Sequence, residues 1–470
     1  MDVDFRRDSL ETLAGAVRRK EISARELVGV ALGRIDALNP IINAFVAVDG
    51  DRALEQAAAV DQKVASGANP GRLAGIPIGV KDLEDTAGYV TTHGSPWFAH
   101  DPPAERDSVL VSRLRADGCV VVGKTNTPDF GWTAKTDNPL FGLTKNPWHL
   151  EHSPGGSSGG TAAALAAGMV PLATGSDGGG SIRIPASCCG LSGVKASMGR
   201  VPSGGPEPPG WPGLSAKGPM AHRIADAALA LDVVVAPEPT DLRSLPRPEA
   251  SWVAAVQDPH PPSRVLWSPT LGYADVDAEV LEICERAVRT LESLGTEVVQ
   301  VDSVFDADPL SSWLTLTGVY LLRSLEPRAP ASGFSELDPV LASMLEHARG
   351  VTGTQMALAL DACHQVNYRL VELFADARIL VTPTTAGLAP PIALGGHGIV
   401  NGQATPSWIA FTYPFNMSGS PAATVCAGLS GSGLPVGLQL IGPAHGDLVV
   451  LRTAAALEAA LGFEDRAPIG

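Results

Sequence analysis

Apolar residues recur at helical spacing from the start of the chain. Leu10, Leu13 and Val17 form one stripe, and Leu27, Val30, Leu32 and Ile35 form a second behind the capping-box pattern Ser23-Ala24-Arg25-Glu26. Short apolar runs then take over. The run LAGIPIGV over 73–80 predicts a β segment ending at Lys81. A helix over about 106–117 leads into Cys119-Val120-Val121-Val122, a strand of the kind covered on both faces. Small residues from 161 to 169 predict a tight helix, and 170–174 a strand feeding the glycines at 178–180. Further helices are predicted over about 222–234, 275–294, 353–374 and 446–461, with strands near 265–267, 298–301, 377–381, 422–426 and 435–441. The 128–160 stretch reads as loops, and the Pro/Gly-dense 202–217 as an irregular loop over a pocket. The Pro-rich 235–262 reads as a surface excursion, and 305–350 has no clear period. Alternating strands and helices predict an α/β fold with a large, mixed, mostly parallel twisted sheet covered by helices on both faces.

Composition narrows the function classes. The chain has 470 residues, 45% of them hydrophobic, and a formal charge of −16. That charge repels phosphate backbones and anionic lipid, so the expected partner is a small molecule rather than nucleic acid or membrane. The amino-terminal Met1-Asp2-Val3-Asp4-Phe5-Arg6-Arg7 lacks an apolar signal core, and no stretch reaches the ~20 apolar residues of a membrane span. The six cysteines form no C-x-x-C pair and the ten histidines no H-x-x-x-H cluster. The expectation is a cytoplasmic, reduced protein with no metal and no cofactor.

Three segments carry chemistry. Gly155-Gly156-Ser157-Ser158-Gly159-Gly160 could be a flexible linker, but an Ala-rich helix follows it directly. It also fits G-x-S-x-G, although KNPWHLEHSP before it is no strand, so the nucleophile-elbow reading fails on context. Asp177-Gly178-Gly179-Gly180-Ser181-Ile182-Arg183 is a turn in which successive backbone N–H groups can converge on one point, as an oxyanion hole requires. Lys81 closes an apolar segment, where desolvation lowers an amine's pKa and fits it for base chemistry. Ser192-Gly193-Val194-Lys195 matches S-x-x-K without the companion motifs of serine β-lactamases and is treated as coincidence.

Together these segments resemble the amidase signature family. The resemblance runs from Ser153-Pro154 through Asp177-Gly178-Gly179-Gly180-Ser181-Ile182-Arg183-Ile184-Pro185-Ala186 to Gly193-Val194-Lys195. Gly75-Ile76-Pro77-Ile78-Gly79-Val80-Lys81-Asp82, Gly123-Lys124-Thr125-Asn126, Lys217-Gly218-Pro219-Met220-Ala221 and Gly433-Leu434-Pro435-Val436-Gly437-Leu438-Gln439-Leu440-Ile441-Gly442 extend it over nearly the whole chain. Asn138-Pro139-Leu140-Phe141-Gly142 is similar to the fatty-acid-amide-hydrolase branch. The resemblance implies the amidase-signature fold as one domain over 1–470, with a variable, cap-like region at about 235–350. It implies Ser181 as nucleophile, Ser157 as proton relay behind a cis peptide from Gly156, and Lys81 as a neutral base. The N–H groups of Gly178, Gly179, Gly180 and Ser181 would form the oxyanion hole, and Ser158, Asp177 and Arg183 would support it, the last two as a pair. The chain departs from the usual pattern at Gly178, where many members carry Thr or Ile, at Cys188-Cys189, and at Lys195-Ala196-Ser197.

Tryptophans in loop-like segments, Trp132 and Trp211 with Trp313 and Trp408, are expected to wall an apolar or aryl pocket, whereas Trp148, Trp252 and Trp267 are expected in the core. The expected substrate is a hydrophobic or aryl acyl amide, anilide, ester or carbamate. The competing expectation is the glutaminase subunit of a tRNA-dependent amidotransferase, whose members use a late arginine for the glutamine carboxylate. Ser343-Met344-Leu345-Glu346, roughly the matching place, offers none. The expected oligomeric state is a monomer or homodimer.

Overall fold

A computed structural model describes residues 2–470. Its centre is an eleven-stranded sheet, and the described residues form thirteen strands: β1 (Phe45–Val48), β2 (Pro77–Lys81), β3 (Val120–Thr125), β4 (Leu172–Asp177), β5 (Ser192–Lys195), β6 (Ala216–Ala221), β7 (Arg264–Trp267), β8 (Glu297–Gln300), β9 (Leu380–Pro383), β10 (Gly398–Val400), β11 (Gln403–Thr405), β12 (Ala422–Leu429) and β13 (Pro435–Ile441). The sheet order is β1-β3-β2-β4-β6-β5-β12-β13-β9-β7-β8, with β10 and β11 as a separate hairpin. The large, mixed, helix-covered sheet is thus present. Its parallel pairings form two blocks, β3-β2-β4 and β9-β7-β8, and the strands between the blocks run antiparallel. Strands β2 and β3 are buried along their whole length, which is why they read as continuous apolar runs rather than alternating ones.

The helices sit where apolar periodicity put them. Ser23 accepts from the Glu26 N–H while the Glu26 carboxylate accepts from the Ser23 N–H, so the capping box is formed at the head of Ala24–Ile42. Gly159–Ala166, Ile224–Val234, Ala278–Ser293, Gly353–Leu373 and Asp447–Leu461 match the expected helices to within a few residues. The helix Gly50–Ser66 escaped the sequence reading because only Ala53, Ala57 and Val60 on it are buried, a stripe of small residues. The Pro-rich 235–262 stretch is not purely a surface excursion. It contains the helix Trp252–Gln257, which buries Trp252 and Ala255. The 305–350 region resolves into two helices, Leu310–Leu325 and Pro339–Ala348. Their Leu321, Leu325, Leu341 and Leu345 form an apolar cluster with Phe334 and Leu337 that reaches Phe130, Trp132 and Trp211 beside the candidate site. Among the described residues no helix is long and apolar enough to cross a membrane, and the six cysteines are free thiols.

Candidate active site

The site is built at the carboxyl ends of the first parallel block, the usual place for ligands in open α/β sheets. Lys81 is the last residue of β2 and Asp177 the last of the neighbouring β4. The Lys81 side chain is fully buried. Its Nζ lies 2.8 Å from Ser157 Oγ, 2.9 Å from Ser158 Oγ and 3.0 Å from Ser176 Oγ. Burial lowers its pKa to about 7, while the charges of Glu84 and Asp177 pull in the opposite direction. A substantial neutral fraction therefore exists at neutral pH, when the amine has a lone pair to take a proton. Ser176 had no place in the sequence reading. Its signal was strand parity: Thr174, whose Oγ1 accepts the Lys81 N–H at 2.9 Å, and Ser176 lie two apart on β4, so their side chains share the face toward Lys81.

The Gly-Ser run is no linker. Its Gly156–Ser157 peptide is cis, and the segment is buried throughout. A Cβ at Gly160 would strike the backbone of Asn126, and one at Gly156 the backbone of Thr133 and Ala134. The following helix is anchored by Thr161, whose hydroxyl donates to the Thr174 carbonyl at 2.8 Å and lies 2.7 Å from that of Thr125. The motif around Asn126 meets the one around Asn138 directly, through an Asn138 Nδ2 to Asn126 Oδ1 hydrogen bond of 2.7 Å. Ser158 donates its N–H to the Ser181 carbonyl at 3.2 Å, which sets the two serine segments side by side.

The glycine turn is held from beneath by a buried ion pair. Arg183 Nη2 and Nε donate to Asp177 Oδ1 and Oδ2 at 2.8 and 2.9 Å, and neither side chain is exposed. Burial alone would raise the carboxyl pKa. The Arg183 charge and its hydrogen bonds, aided by Lys195 and Asn416, outweigh burial and hold Asp177 well below the usual carboxylate range. The rest of the guanidinium donates to Gln439 Oε1 (2.6 Å), Asn416 Oδ1 (2.7 Å) and the Thr412 carbonyl (3.0 Å). Gln439 lies within a motif noted in the sequence, but its part in seating Arg183 was not legible there.

One expectation for the turn is corrected. The Gly180 N–H donates to Asp177 Oδ1 at 2.8 Å, so it is not free to meet an oxyanion. The cause is local, since the carboxylate at the head of the turn accepts the N–H three residues on, as it does those of Ile182 and Arg183. The N–H groups of Gly178, Gly179 and Ser181 find no acceptor among the described residues, and Gly178 and Gly179 are buried.

Three indoles crowd the turn. Trp132 stacks on Trp313 with ring centroids 5.7 Å apart, and Trp211 packs edge-on to both. A Cβ at Gly178 would overlap the Trp211 ring, and one at Gly179 the Trp313 ring. This gives the departure at position 178 a physical reason, because Thr or Ile there cannot coexist with Trp211 in place. Gly178→Ile is expected to lower stability by about 1–3 kcal/mol through overpacking, read as a lower urea midpoint, and to reduce activity alongside. Trp408 is the expectation that fails. It is buried against Gly398 of the β10–β11 hairpin and donates to the Gly396 carbonyl at 3.0 Å, and it is not one of the three indoles that pair at the turn. Trp252 and Trp267 are core residues as expected, and Trp148 is half-buried against Phe463. Ser192 and Lys195 do not meet. Ser192 Oγ bonds the Glu458 carboxylate, whereas Lys195 Nζ donates to the Ser420 carbonyl.

Comparison with known proteins fits this geometry. A family model described as Amidase matches residues 26–451. An acylamidase of Rhodococcus erythropolis is 36% identical over 98% of this chain and 97% of its own. A glutamyl-tRNA(Gln) amidotransferase component from Salinispora arenicola is 37% identical over 97% of both chains. The crystal structure of a bacterial aryl acylamidase of the amidase signature family superposes with a TM-score of 0.91 at 29% identity, covering 96% of each chain.

Proposed function

Because the chain belongs to the amidase family and hydrolyses amide bonds, we propose that it does so by a Ser181–Ser157–Lys81 relay on hydrophobic or aryl acyl amides and anilides, and on the matching esters and carbamates. The observation that carries the relay is the fully buried Lys81 amine, its pKa near neutrality, in contact with Ser157. Ser181 Oγ attacks the carbonyl carbon while its proton passes to Ser157 Oγ, and the Ser157 proton passes to Lys81 Nζ. The developing oxyanion is met by the N–H groups of Gly178, Gly179 and Ser181. Lys81 then returns its proton through Ser157 to the leaving nitrogen, and the C–N bond breaks. Water attacks the acyl-enzyme by the same relay, which releases the acid and restores the Ser181 hydroxyl.

The indole wall supports the substrate class, since Trp132 and Trp211 offer flat apolar faces beside the turn. The likeness to an amidotransferase component supports a second reading, glutamine hydrolysis within a complex. That reading needs a cation for the glutamine carboxylate. Arg349, the arginine nearest Ser343-Met344-Leu345-Glu346 in sequence, is instead spent on Glu346 and Glu326 at the surface. One panel separates the two: a nitroanilide, an aryl ester and an aryl carbamate set against glutamine and charged amino-acid amides. The expected kcat/KM for the nitroanilide exceeds that for glutamine by about 100-fold or more, roughly 2.7 kcal/mol of differential binding. Equal or reversed preference, or co-purification with two further subunits, overturns the substrate assignment. With its acidic surface, the enzyme in this reading is cytoplasmic, a monomer or homodimer acting on small molecules.

A further inference from the structure

We infer that Trp313 is a positioning residue of the oxyanion hole, acting through the Gly178 carbonyl; this rests on the relay proposed above. Trp313 comes from the helix Leu310–Leu325, and the sequence suggested for it only a place in the pocket wall. Its indole N–H donates to the Gly178 carbonyl at 2.9 Å. The next carbonyl, that of Gly179, accepts from Thr412 Oγ1 at 2.6 Å, and the preceding one, that of Asp177, from Asn416 Nδ2 at 2.6 Å. Three successive peptide planes are thus pinned by their oxygens from outside the turn.

A trans peptide is flat, with its N–H antiparallel to its C=O. Holding the Gly179 oxygen therefore fixes the direction of the Gly180 N–H, and that group ends on Asp177 Oδ1. Holding the Gly178 oxygen in the same way fixes the direction of the Gly179 N–H, and that group meets no acceptor among the described residues. A buried N–H without an acceptor is rare because it forfeits a hydrogen bond. Here it is the group kept for a ligand, and Trp313 is what keeps it from rotating to another partner.

The indole is itself immobilised. It stacks on Trp132, tilts against Tyr413 at 5.6 Å, and Tyr413 is tied by its hydroxyl to Asp308 at 2.5 Å. Gly179 permits the contact, since any Cβ there would displace the ring. The helix Leu310–Leu325 therefore reaches into the turn and fixes one N–H of the hole, whichever acyl group is bound.

The test separates the N–H from the ring. Replacing Trp313 with its benzothienylalanine isostere removes the donor and keeps the shape, and Trp313→Phe does so with a smaller ring. The expected result is a fall in kcat of about tenfold with KM changed less than about twofold, smaller than the ~10²–10³ typical of deleting a donor outright. An aryl boronic acid, which forms a tetrahedral adduct on serine, should bind about tenfold more weakly, while a ground-state aryl amide inhibitor binds as before. A raised KM with unchanged kcat and boronate affinity would make Trp313 a pocket wall only and overturn the inference. If boronate fails to bind the unaltered enzyme while the amide is still turned over, the relay falls instead, so the two failures are distinguishable.

Discussion

Ser181→Ala is expected to lower kcat/KM on an aryl amide by about four orders of magnitude or more, leaving only the residual rate that binding and a partial hole provide. The proposed relay gives its two serines different tasks. Ser157 touches the lysine and is almost wholly buried, which suits a proton relay better than attack on a substrate carbon. Ser181 is half-buried at the end of the turn, beside the N–H groups that have no acceptor among the described residues, and Lys81 hydrogen-bonds Ser157, Ser158 and Ser176 rather than Ser181. An acyl-enzyme trapped by rapid acid quench should carry its added mass on the peptide containing Ser181. Ester and amide hydrolysis should fall together in the Ser181→Ala protein. Full activity there, or the acyl group found on Ser157, would remove the nucleophile assignment while leaving the fold and family untouched.

Lys81→Ala is expected to cost about 10³-fold or more in kcat/KM, and Lys81→Arg to restore none of it. A guanidinium keeps its proton at any working pH and so offers no lone pair. The pH profile follows from the same burial. Lys81 has its pKa lowered from 10.5 to about 7, so its basic form gains population as pH rises. Activity should rise through pH about 7 and level off above it, a limb lost in the Lys81→Ala protein. The sign for stability is also fixed. Between pH about 7 and 10.5 the unfolded chain binds a proton at this position that the folded chain does not. The lysine's contribution to stability therefore increases as pH rises across that window, and its burial cost is greatest below it. A profile flat from pH 5 to 9 would show that the amine is not the base.

Much of this was legible before the fold. Lys81, Ser157 and Ser181 lie in dense local motifs, and the strand that ends at Lys81 is an apolar run whose meaning does not depend on distant partners. What stayed hidden depends on pairings between remote segments. The bond from Trp313 to Gly178 spans two regions whose sequences say nothing about each other. Periodicity in Leu310–Leu325 is blurred because one face covers the glycine turn while other residues pack among leucines and Phe334. Gly180 was misread for a related reason: composition shows that an N–H is available but not that Asp177, three residues earlier, has already taken it. Trp408 failed because a tryptophan in a loop is no guide to which cavity the loop covers.

The seat of Arg183 has one more consequence. Lys81, Ser157, Ser181 and the glycine turn all precede the midpoint of the chain, yet the guanidinium that braces the turn is satisfied by Thr412, Asn416 and Gln439 near its end. A product that stops before Thr412 holds every residue of the proposed relay but leaves Arg183 with only its Asp177 bonds, and the turn is less firmly braced. The reacting motif is therefore not a portable cassette. The amino-terminal half is expected to hold the whole proposed relay yet stay inactive until the segment from Thr412 to Gln439 packs onto Arg183.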